Sequence, residues 1–156
     1  MNEWISLLRA LTAAGVKFLV VGGIATIAHG FVRATQDLDI WIEPTRENIK
    51  VLEGVLADLG VEMTEELGGL LDPYAFLQIG APRGRRLDLM SHAEALEFPR
   101  AWRNRLEVDL EDFVVPVLGL ADLLATKEAV GRHQDLADVE GLRLLHGLRW
   151  EEDDQS

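Results

Sequence analysis

Three aspartates lie inside short apolar runs, where a charged side chain is uncommon. Asp37 and Asp39 alternate with aliphatic residues, and Asp88 is flanked by two leucines. Successive side chains of a strand point to opposite faces, so Asp37 and Asp39 are predicted to share one face. Their Cα atoms would be about 6.5 Å apart, and like charges at that spacing need a cation or a shared proton. The pair therefore predicts a site for a hard divalent cation such as Mg2+, which takes carboxylate oxygens as ligands.

Two adjacent glycines, Gly22 and Gly23, end an apolar run that begins at Lys17 and is predicted to be a buried strand. A helix is predicted to follow directly, over residues 24–29. A strand, a small-residue turn and a helix leave backbone N–H groups free to bind phosphate. Because glycine has no side chain to block the approach, we expect Gly22 and Gly23 to contact a phosphate-bearing ligand.

An arginine and a threonine precede the first acidic pair. If the second strand begins early, Arg33 and Thr35 share the face of Asp37 and Asp39. That arrangement would place a planar, permanently charged guanidinium beside the acids. Two interpretations of Arg33 stay open: it binds phosphate, or it neutralises the two aspartates in the empty site.

The third acid, Asp88, belongs to a predicted β-hairpin. Its strands are expected over residues 74–79 and 86–90, joined by a turn rich in Gly and Pro. Asp88 would lie between two core leucines, on the same polar face as the first pair of acids. It is predicted to be the third carboxylate of the site, and the alternative is an ion pair with Arg85 or Arg86.

The string from Gly22 to Asp39, Gly-Gly-x-Ala-x-x-x-His-Gly-x-x-Arg-x-Thr-x-Asp-x-Asp, resembles the signature of the nucleotidyltransferase superfamily of polymerase-beta-like fold. It is similar to the small prokaryotic subgroup that includes the AbiEii-type toxins and the minimal and aminoglycoside nucleotidyltransferases. Residues 127–138 also resemble the C-terminal segment of this subgroup.

This resemblance implies transfer of a nucleoside monophosphate from an NTP to a hydroxyl, with two Mg2+ ions. It implies that Asp37 and Asp39 hold the ions, and that Asp88 holds the ion on the nucleophile side or acts as the base. Three acids suit such chemistry because one ion binds the triphosphate and the other lowers the pKa of the attacking hydroxyl.

A lysine is predicted on the apolar stripe of a late helix. Lys127 lies three and four residues beyond Leu124 and Leu123, which places it on the same helix face. A lysine directed at the core requires an anion, either a substrate phosphate or an internal acid such as Asp135 or Asp138, and both remain open. Asp135 and Asp138 are predicted in the first turn of the final helix, where acids favour the helix dipole.

Length and composition predict one globular domain over residues 1–150 and an acidic disordered tail over residues 151–156. The chain has 156 residues, of which 48% are hydrophobic and 27% are charged. The absence of cysteine excludes disulfides and thiolate metal sites. Since no apolar run approaches about 20 residues and no leader pattern opens the sequence, we expect a cytoplasmic protein without a membrane span.

A formal net charge of −12 argues against broad, sequence-independent binding of DNA, which depends on Lys and Arg displacing counterions. Two arginine clusters have two interpretations that stay open: they form local basic patches that bind nucleic acid, or they are solvated residues of turns. They are Arg83, Arg85 and Arg86, and Arg100, Arg103 and Arg105.

The order of predicted elements gives an α/β fold. A small mixed sheet carries the acids, helices cover its other face, and C-terminal helices pack beside it. The further predicted elements are a helix over residues 2–14, a helix from the N-cap Thr45 to Gly60, a strand over 61–64, a helix over 91–97, and a hairpin of 106–110 with 113–117.

Two function classes follow. The first is the Mg2+-dependent enzyme, whose acceptor would be an RNA end, a protein side chain or a small molecule. The second is a non-catalytic nucleotide-binding protein or a toxin-antitoxin component that keeps the fold. The short chain leaves little room for an acceptor domain, which favours a partner protein or a homo-oligomer.

Overall fold

The computed structural model describes residues 2–61, 66–80 and 85–148. The helices are α1 (Asn2–Ala13), α2 (Gly22–Ala28), α3 (Arg46–Asp58), α4 (Phe98–Arg103), α5 (Leu120–Val130) and α6 (His133–His146), with a 3-10 turn at Leu67–Leu71. The strands are β1 (Phe18–Val21), β2 (Leu38–Ile42), β3 (Phe76–Gly80), β4 (Arg86–Met90), β5 (Leu106–Leu110) and β6 (Phe113–Val117).

The strands form one six-stranded mixed sheet in the order β3-β4-β2-β1-β6-β5. β2 and β4 are parallel neighbours, as are β1 and β6, and the remaining pairs are antiparallel. The predicted α/β fold with a small mixed sheet is confirmed. The central position of β1, β2 and β4 brings the glycine turn and the acid-bearing strands together.

Alternation along β2 separates the core from the polar face. Leu38, Ile40 and Ile42 are completely buried, and α1 and α3 contribute Leu11 and Leu52 to the same core cluster. The opposite face carries Asp39 and Trp41 from β2, next to Asp88 and Met90 from β4, and we call it the acidic face. Burial of the aliphatic side chains therefore fixes which way the acids point.

The local signals of the third helix are confirmed. The hydroxyl of Thr45 accepts a hydrogen bond from the backbone N–H of Asn48 (3.3 Å), which caps the helix. Gly60 ends the segment at φ +71°, a conformation that favours glycine. The helix predicted over residues 2–14 and the hairpin of β5 and β6 are also confirmed.

The helix predicted over residues 91–97 is wrong. Ala95 adopts φ 67° within a turn, a left-handed conformation that interrupts a right-handed helix. The helix begins at Phe98, and Pro99 lies in its first turn, where a missing N–H costs no hydrogen bond. Arg100 and Arg103 therefore lie in α4 and not on a turn.

The second arginine cluster is partly neutralised by its surroundings. The guanidinium of Arg105 lies 4.1 Å from the ring centroid of Trp102 and donates to Glu107 at 2.9 Å. Of the first cluster, Arg83 lies outside the described residues, as do the turn at 81–84, most of the strand predicted at 61–64, and the acidic tail.

Within the described part of the chain, no helix combines the length and hydropathy that crossing a bilayer requires.

Candidate active site

The parallel pairing of β2 with β4 places two acids side by side. Asp39 is the register partner of Asp88, and on its other side Asp39 pairs with Val21, the last residue before the glycine turn. Asp88 is only 4% exposed. Two of the three predicted acids thus meet on the acidic face, on adjacent strands and next to Gly22.

The proximity of these acids changes the protonation of Asp39. The pKa of Asp39 is raised from 3.8 to about 7, first by burial, then by the hydrogen bond with Asp88 and the negative charges of Asp88 and Asp37. Lys127 opposes this rise. At neutral pH the pair therefore shares a proton for part of the time, as two crowded carboxylates do.

Asp37, the remaining acid, is linked to Asp88 through an arginine. Arg86 Nη2 lies 3.1 Å from Asp37 Oδ2 and 3.6 Å from Asp88 Oδ2. Half of the Arg86 side chain is exposed. The ion pair that the sequence offered as the alternative for Asp88 is therefore present, and Arg86 bridges Asp37 and Asp88.

The donor set fits a divalent cation in part. Asp88 Oδ1 is buried and has no hydrogen-bond partner among the described residues, so with both carboxyls ionised it needs a proton or a cation. Asp37 is directed to Arg86. Within the described residues, no three His, Cys, Asp or Glu side chains are grouped closely enough to hold an ion. The observed positions thus favour ligation by Asp39 and Asp88, and the three-acid metal site stays a prediction.

We expect the acidic pair to make the protein less stable as pH rises from about 4 to about 8. Asp39 has a pKa of 3.8 when unperturbed and about 7 in the fold, so the folded chain binds more protons than the unfolded chain in this window. Stability falls with pH wherever the folded state holds the extra proton. The loss approaches about 1.4 kcal/mol per pH unit for one proton.

Urea denaturation of the wild-type protein and of Asp39→Asn across this window measures the effect. The difference between the two pH slopes isolates Asp39, because the other titrating groups are common to both proteins. Parallel slopes would contradict a raised pKa at Asp39.

The glycine turn is the first turn of α2, which begins at Gly22 and not at residue 24 as predicted, and it lies against the acids. Gly22 has φ +67°, and a Cβ built on it would collide with the carboxylate of Asp39. A Cβ on Gly23 would lie 3.0 Å from Arg33 Nη2 and 3.1 Å from Thr35 Oγ1. The structure therefore brings Gly22, Gly23, Arg33 and Thr35 together beside Asp39. It leaves no room for a side chain at Gly22 and only a tight fit at Gly23.

The route by which Arg33 reaches the site differs from the prediction. β2 begins at Leu38, and residues 31–37 are irregular, so Arg33 and Thr35 do not share a strand face with the acids. Arg33 pairs with Asp138 of α6, through Nε to Oδ1 (2.8 Å) and Nη2 to Oδ2 (3.0 Å). The interpretation that Arg33 neutralises Asp37 and Asp39 is wrong, because its planar fork is occupied by Asp138.

Lys127 has internal partners. Its Nζ lies 2.8 Å from Asp138 Oδ2 and 3.7 Å from Asp135 Oδ1, and the residue is 5% exposed. The apolar stripe does direct this ammonium inward, and the anion that it meets is an internal acid. Lys127 nevertheless lies close enough to the acidic face to lower the pKa of Asp39.

Asp138 is the centre of this charged cluster. It lies in the second turn of α6 and is completely buried, so its predicted place in the first turn is wrong. Burial raises the pKa of Asp138, but hydrogen bonds from Lys127, Arg33 and Gln134 outweigh burial and lower it. Asp135 does cap α6, accepting from the backbone N–H of Arg132 at 3.2 Å.

The sequence offered Asp135 or Asp138 as the internal partner of Lys127, but it did not predict the contact of Asp138 with Arg33 or a role for Arg132. A signal for Asp138 was available, because it precedes Leu142 by four residues and so shares the inward face of α6. Both Leu142 and Asp138 are completely buried. No comparable signal marks Arg132, whose position depends on the turn between α5 and α6.

A cavity of about 470 Å³ lies where β2 and β4 end. Its lining includes Trp41, Ser91, His92, Leu96, Glu97 and Phe98. None of the three aspartates lines this cavity, so the grouping of the acids, and not the cavity, defines the candidate site.

Three solved structures are similar to this chain in fold. The lincosamide antibiotic adenylyltransferase LnuA with bound lincomycin shows a TM-score of 0.63 and 16% identity, over 91% of this chain and 95% of its own. A putative nucleotidyltransferase from Thermotoga maritima shows 0.57 and 17%, over 95% and 92%. The antibiotic-resistance factor ANT(2'')-Ia shows 0.59 and 18%, over 92% and 84%. At these identities the likeness shows the fold.

No curated protein matches the chain. The family that matches is not that of the AbiEii-type toxins, so the resemblance to this subgroup is not supported. The model that matches is described as "Nucleotidyltransferase of unknown function (DUF6036)" and covers residues 3–154. Nearly the whole chain is thus included, and the protein belongs to this family of nucleotidyltransferases.

Proposed function

We propose that the protein transfers a nucleoside monophosphate from an NTP to a hydroxyl acceptor in a Mg2+-dependent reaction. The observation that carries the proposal is the adjacency of Asp39 and Asp88, two desolvated carboxylates that lie directly beside the Gly22 turn. Family membership supports nucleotidyl transfer in general. The metal, the NTP and the acceptor are the proposed details.

Asp37, Asp39 and Asp88 are the residues that would hold two Mg2+ ions. Bound Mg2+ would supply charge neutralisation of the triphosphate and a lower pKa for the acceptor hydroxyl. Asp39 and Asp88 already face each other, whereas Asp37 would have to give up its contact with Arg86.

The remaining roles belong to the protein's own groups. Gly22 and Gly23 allow the phosphates to approach the backbone beside Asp39. Asp88 Oδ1, which is buried without a hydrogen-bond partner among the described residues, accepts the proton of the acceptor hydroxyl. The oxygen of the acceptor hydroxyl then forms a bond to the α-phosphorus of the NTP, and the bond between that phosphorus and the leaving pyrophosphate breaks.

Arg33 and Thr35 would line the phosphate side of the site, since both lie against Gly23. Lys127 acts one step away, because its ammonium is engaged with Asp138, which in turn holds Arg33. We therefore assign Lys127 to positioning Arg33 and not to direct contact with the nucleotide.

For the acceptor, the antibiotic named with LnuA favours a small molecule with a free hydroxyl. An RNA end or a protein side chain would use the same chemistry. The net charge of −12 disfavours a long nucleic-acid footprint. The proposed setting is the cytoplasm, where NTPs and Mg2+ are abundant.

One observation favours a second candidate function. Arg86 neutralises Asp37 and approaches Asp88, so the acids are partly satisfied by a side chain of the protein itself. A non-catalytic nucleotide-binding protein, or one component of a toxin-antitoxin pair, would keep this arrangement. A partner protein or a second copy of the chain would then complete the function.

Thermal shift with ATP, CTP, GTP and UTP, each with and without Mg2+, separates the two candidates. Stabilisation by an NTP that requires Mg2+ supports the enzyme, since a ligand that binds only the folded state raises the melting temperature. Incubation with α-labelled NTP and RNA, cell protein or aminoglycosides then identifies the acceptor class. Absence of label transfer to every acceptor, with intact NTP binding, would favour the second candidate.

Asp88→Asn is expected to suppress label transfer by about 100-fold or more, as removal of a positioned base does. Mg2+-dependent NTP binding should remain within about threefold, because Asp37 and Asp39 still serve the triphosphate side. Single-turnover kinetics and equilibrium binding measure the two effects separately. Loss of NTP binding together with a lowered melting temperature would instead mark Asp88 as a structural partner of Arg86.

A further inference from the structure

A cluster of linked ion pairs lies at the α5–α6 junction next to the acidic face, separate from the Glu128–Arg143 pair, and this cluster carries more positive than negative charge. Its three cations are Arg33, Lys127 and Arg132, and its carboxylates are Asp135 and Asp138. Three cations against two acids leave one positive charge in excess. A charge that is not balanced within a cluster is available to a ligand, provided that it is exposed.

Two of the three cations are committed to internal partners. Lys127 is buried between Asp135 and Asp138. Arg33 makes a two-point contact with Asp138, and only 22% of its side chain is exposed. Neither Arg33 nor Lys127 can bind a ligand directly unless it gives up its ion pair with the buried carboxylate of Asp138.

Arg132 differs in exposure and in anchoring. Its side chain is 77% exposed, whereas its partner Asp135 is buried. Nε donates to Asp135 Oδ2 at 2.7 Å and Nη2 reaches Oδ1 at 3.4 Å. Within the described part of the chain, Nη1 donates no hydrogen bond. One edge of the guanidinium is thus fixed by a buried acid, and the rest is open to solvent.

Arg132 also lies within electrostatic reach of the acidic face. The pKa of Arg132 is raised, first by the hydrogen bond and charge of Asp135, and also by the charge of Asp39. Lys127 interacts with Asp39 in the same way. Arg33 of the same cluster lies against Gly23 and is joined to Lys127 and Arg132 through Asp138 and Asp135. The α5–α6 junction therefore borders the glycine turn, where the proposed function places the triphosphate.

We propose that Arg132, held by Asp135, binds the phosphates of the NTP and forms one wall of the triphosphate site. The proposal rests on the proposed nucleotidyl transfer and adds a residue to it. A guanidinium that is already fixed along one edge loses little additional conformational freedom when it binds, so its open edge is preorganised for a phosphate oxygen. Asp135 is the positioning residue that fixes its direction.

Titration calorimetry with inorganic tripolyphosphate and with each of the four NTPs, in the presence of Mg2+, tests the proposal. Arg132→Gln should weaken binding of tripolyphosphate and of NTP by about 10- to 100-fold, the range of one hydrogen bond between charged groups. Arg132→Lys should lie between this variant and the wild type, because it keeps the charge and loses the planar fork. Binding of a nucleoside without phosphates should not distinguish the three proteins.

Arg9→Gln is the matched control. Arg9 is also a partly exposed arginine held by acids, namely Glu111 and Asp112 of the β5–β6 turn. This turn lies at the opposite end of β6 from the residue that pairs with β1. This variant should bind tripolyphosphate as the wild type does. It reports any general effect of removing one ion-paired arginine from an acidic protein.

The outcomes separate the two proposals. If the wild type binds tripolyphosphate and Arg132→Gln binds it equally well, with only a lower melting temperature, Arg132 is a structural cap and the inference is overturned while nucleotidyl transfer stands. If the wild type binds neither tripolyphosphate nor any NTP, both proposals fail. A selective loss in Arg132→Gln supports the inference even when no acceptor is known.

Discussion

Replacing Asp39 with asparagine should reduce nucleotidyl transfer by about 10³-fold or more. The variant loses the carboxylate that lies between the glycine turn and Asp88. Several kcal/mol of charge stabilisation depend on such a ligand, and each 1.4 kcal/mol corresponds to about a tenfold change in rate. Steady-state and single-turnover transfer of labelled NMP measures the loss.

The same variant should be more stable than the wild type near pH 8. Asp39 is desolvated and repelled by Asp88 and Asp37, and an amide removes that repulsion. A gain of about 1 kcal/mol would raise the melting temperature of a chain of this length by about 2 to 4 °C. Reduced activity with raised stability separates a functional acid from a structural one.

Asp109→Asn is the control for this experiment. Asp109 is an exposed aspartate of β5, at the far edge of the sheet from β4. Its replacement should change neither transfer nor stability. Normal turnover by Asp39→Asn with Mg2+ would contradict the proposed metal site.

Asp138→Asn should destabilise the protein by about 3 to 5 kcal/mol, the usual cost of removing one partner of a buried ion pair. The substitution leaves Arg33 without its carboxylate and Lys127 with only the longer contact to Asp135. Chemical denaturation measures the change, and the melting temperature should fall by about 10 °C. Residual NTP affinity should also fall, because Arg33 is no longer held against Gly23.

A double variant tests the cause of this loss. In Asp138→Asn with Lys127→Met, the unpaired buried ammonium is gone, so the double variant should be more stable than Asp138→Asn alone. Asp58→Asn, at the exposed end of α3, should leave stability unchanged. A double variant that is less stable than the single one would show that Lys127 does not depend on Asp138.

The local elements of the site follow from the sequence because each depends on a short stretch of chain. The alternation of acids with aliphatic residues predicts the strand of Asp39 and the direction of its side chain. The spacing of Lys127 from Leu123 and Leu124 predicts an inward ammonium. The glycine pair predicts a turn without side chains, and Asp39 does lie where a side chain on Gly22 would be.

Errors in the predicted elements have local physical causes as well. The helix expected over residues 91–97 fails at Ala95, whose left-handed backbone is not encoded by an apolar period. The early start of the second strand, on which a shared face for Arg33 and Thr35 depended, does not occur: the strand begins at Leu38, and Arg33 pairs with Asp138 of α6.

Only the tertiary structure decides which charges meet. Asp39 and Asp88 become neighbours through the parallel pairing of β2 with β4, and Arg33 meets Asp138 across 105 residues of sequence. The period of a helix or strand shows which side chains point inward, but the partner of a buried charge depends on which elements pack together. For that reason the sequence predicted the acids, the glycines and Lys127 as candidate site residues, with Asp135 or Asp138 as a possible partner of Lys127. The contact of Asp138 with Arg33, and Arg132 as the exposed cation, emerged only from the packing of α5 and α6 against the site.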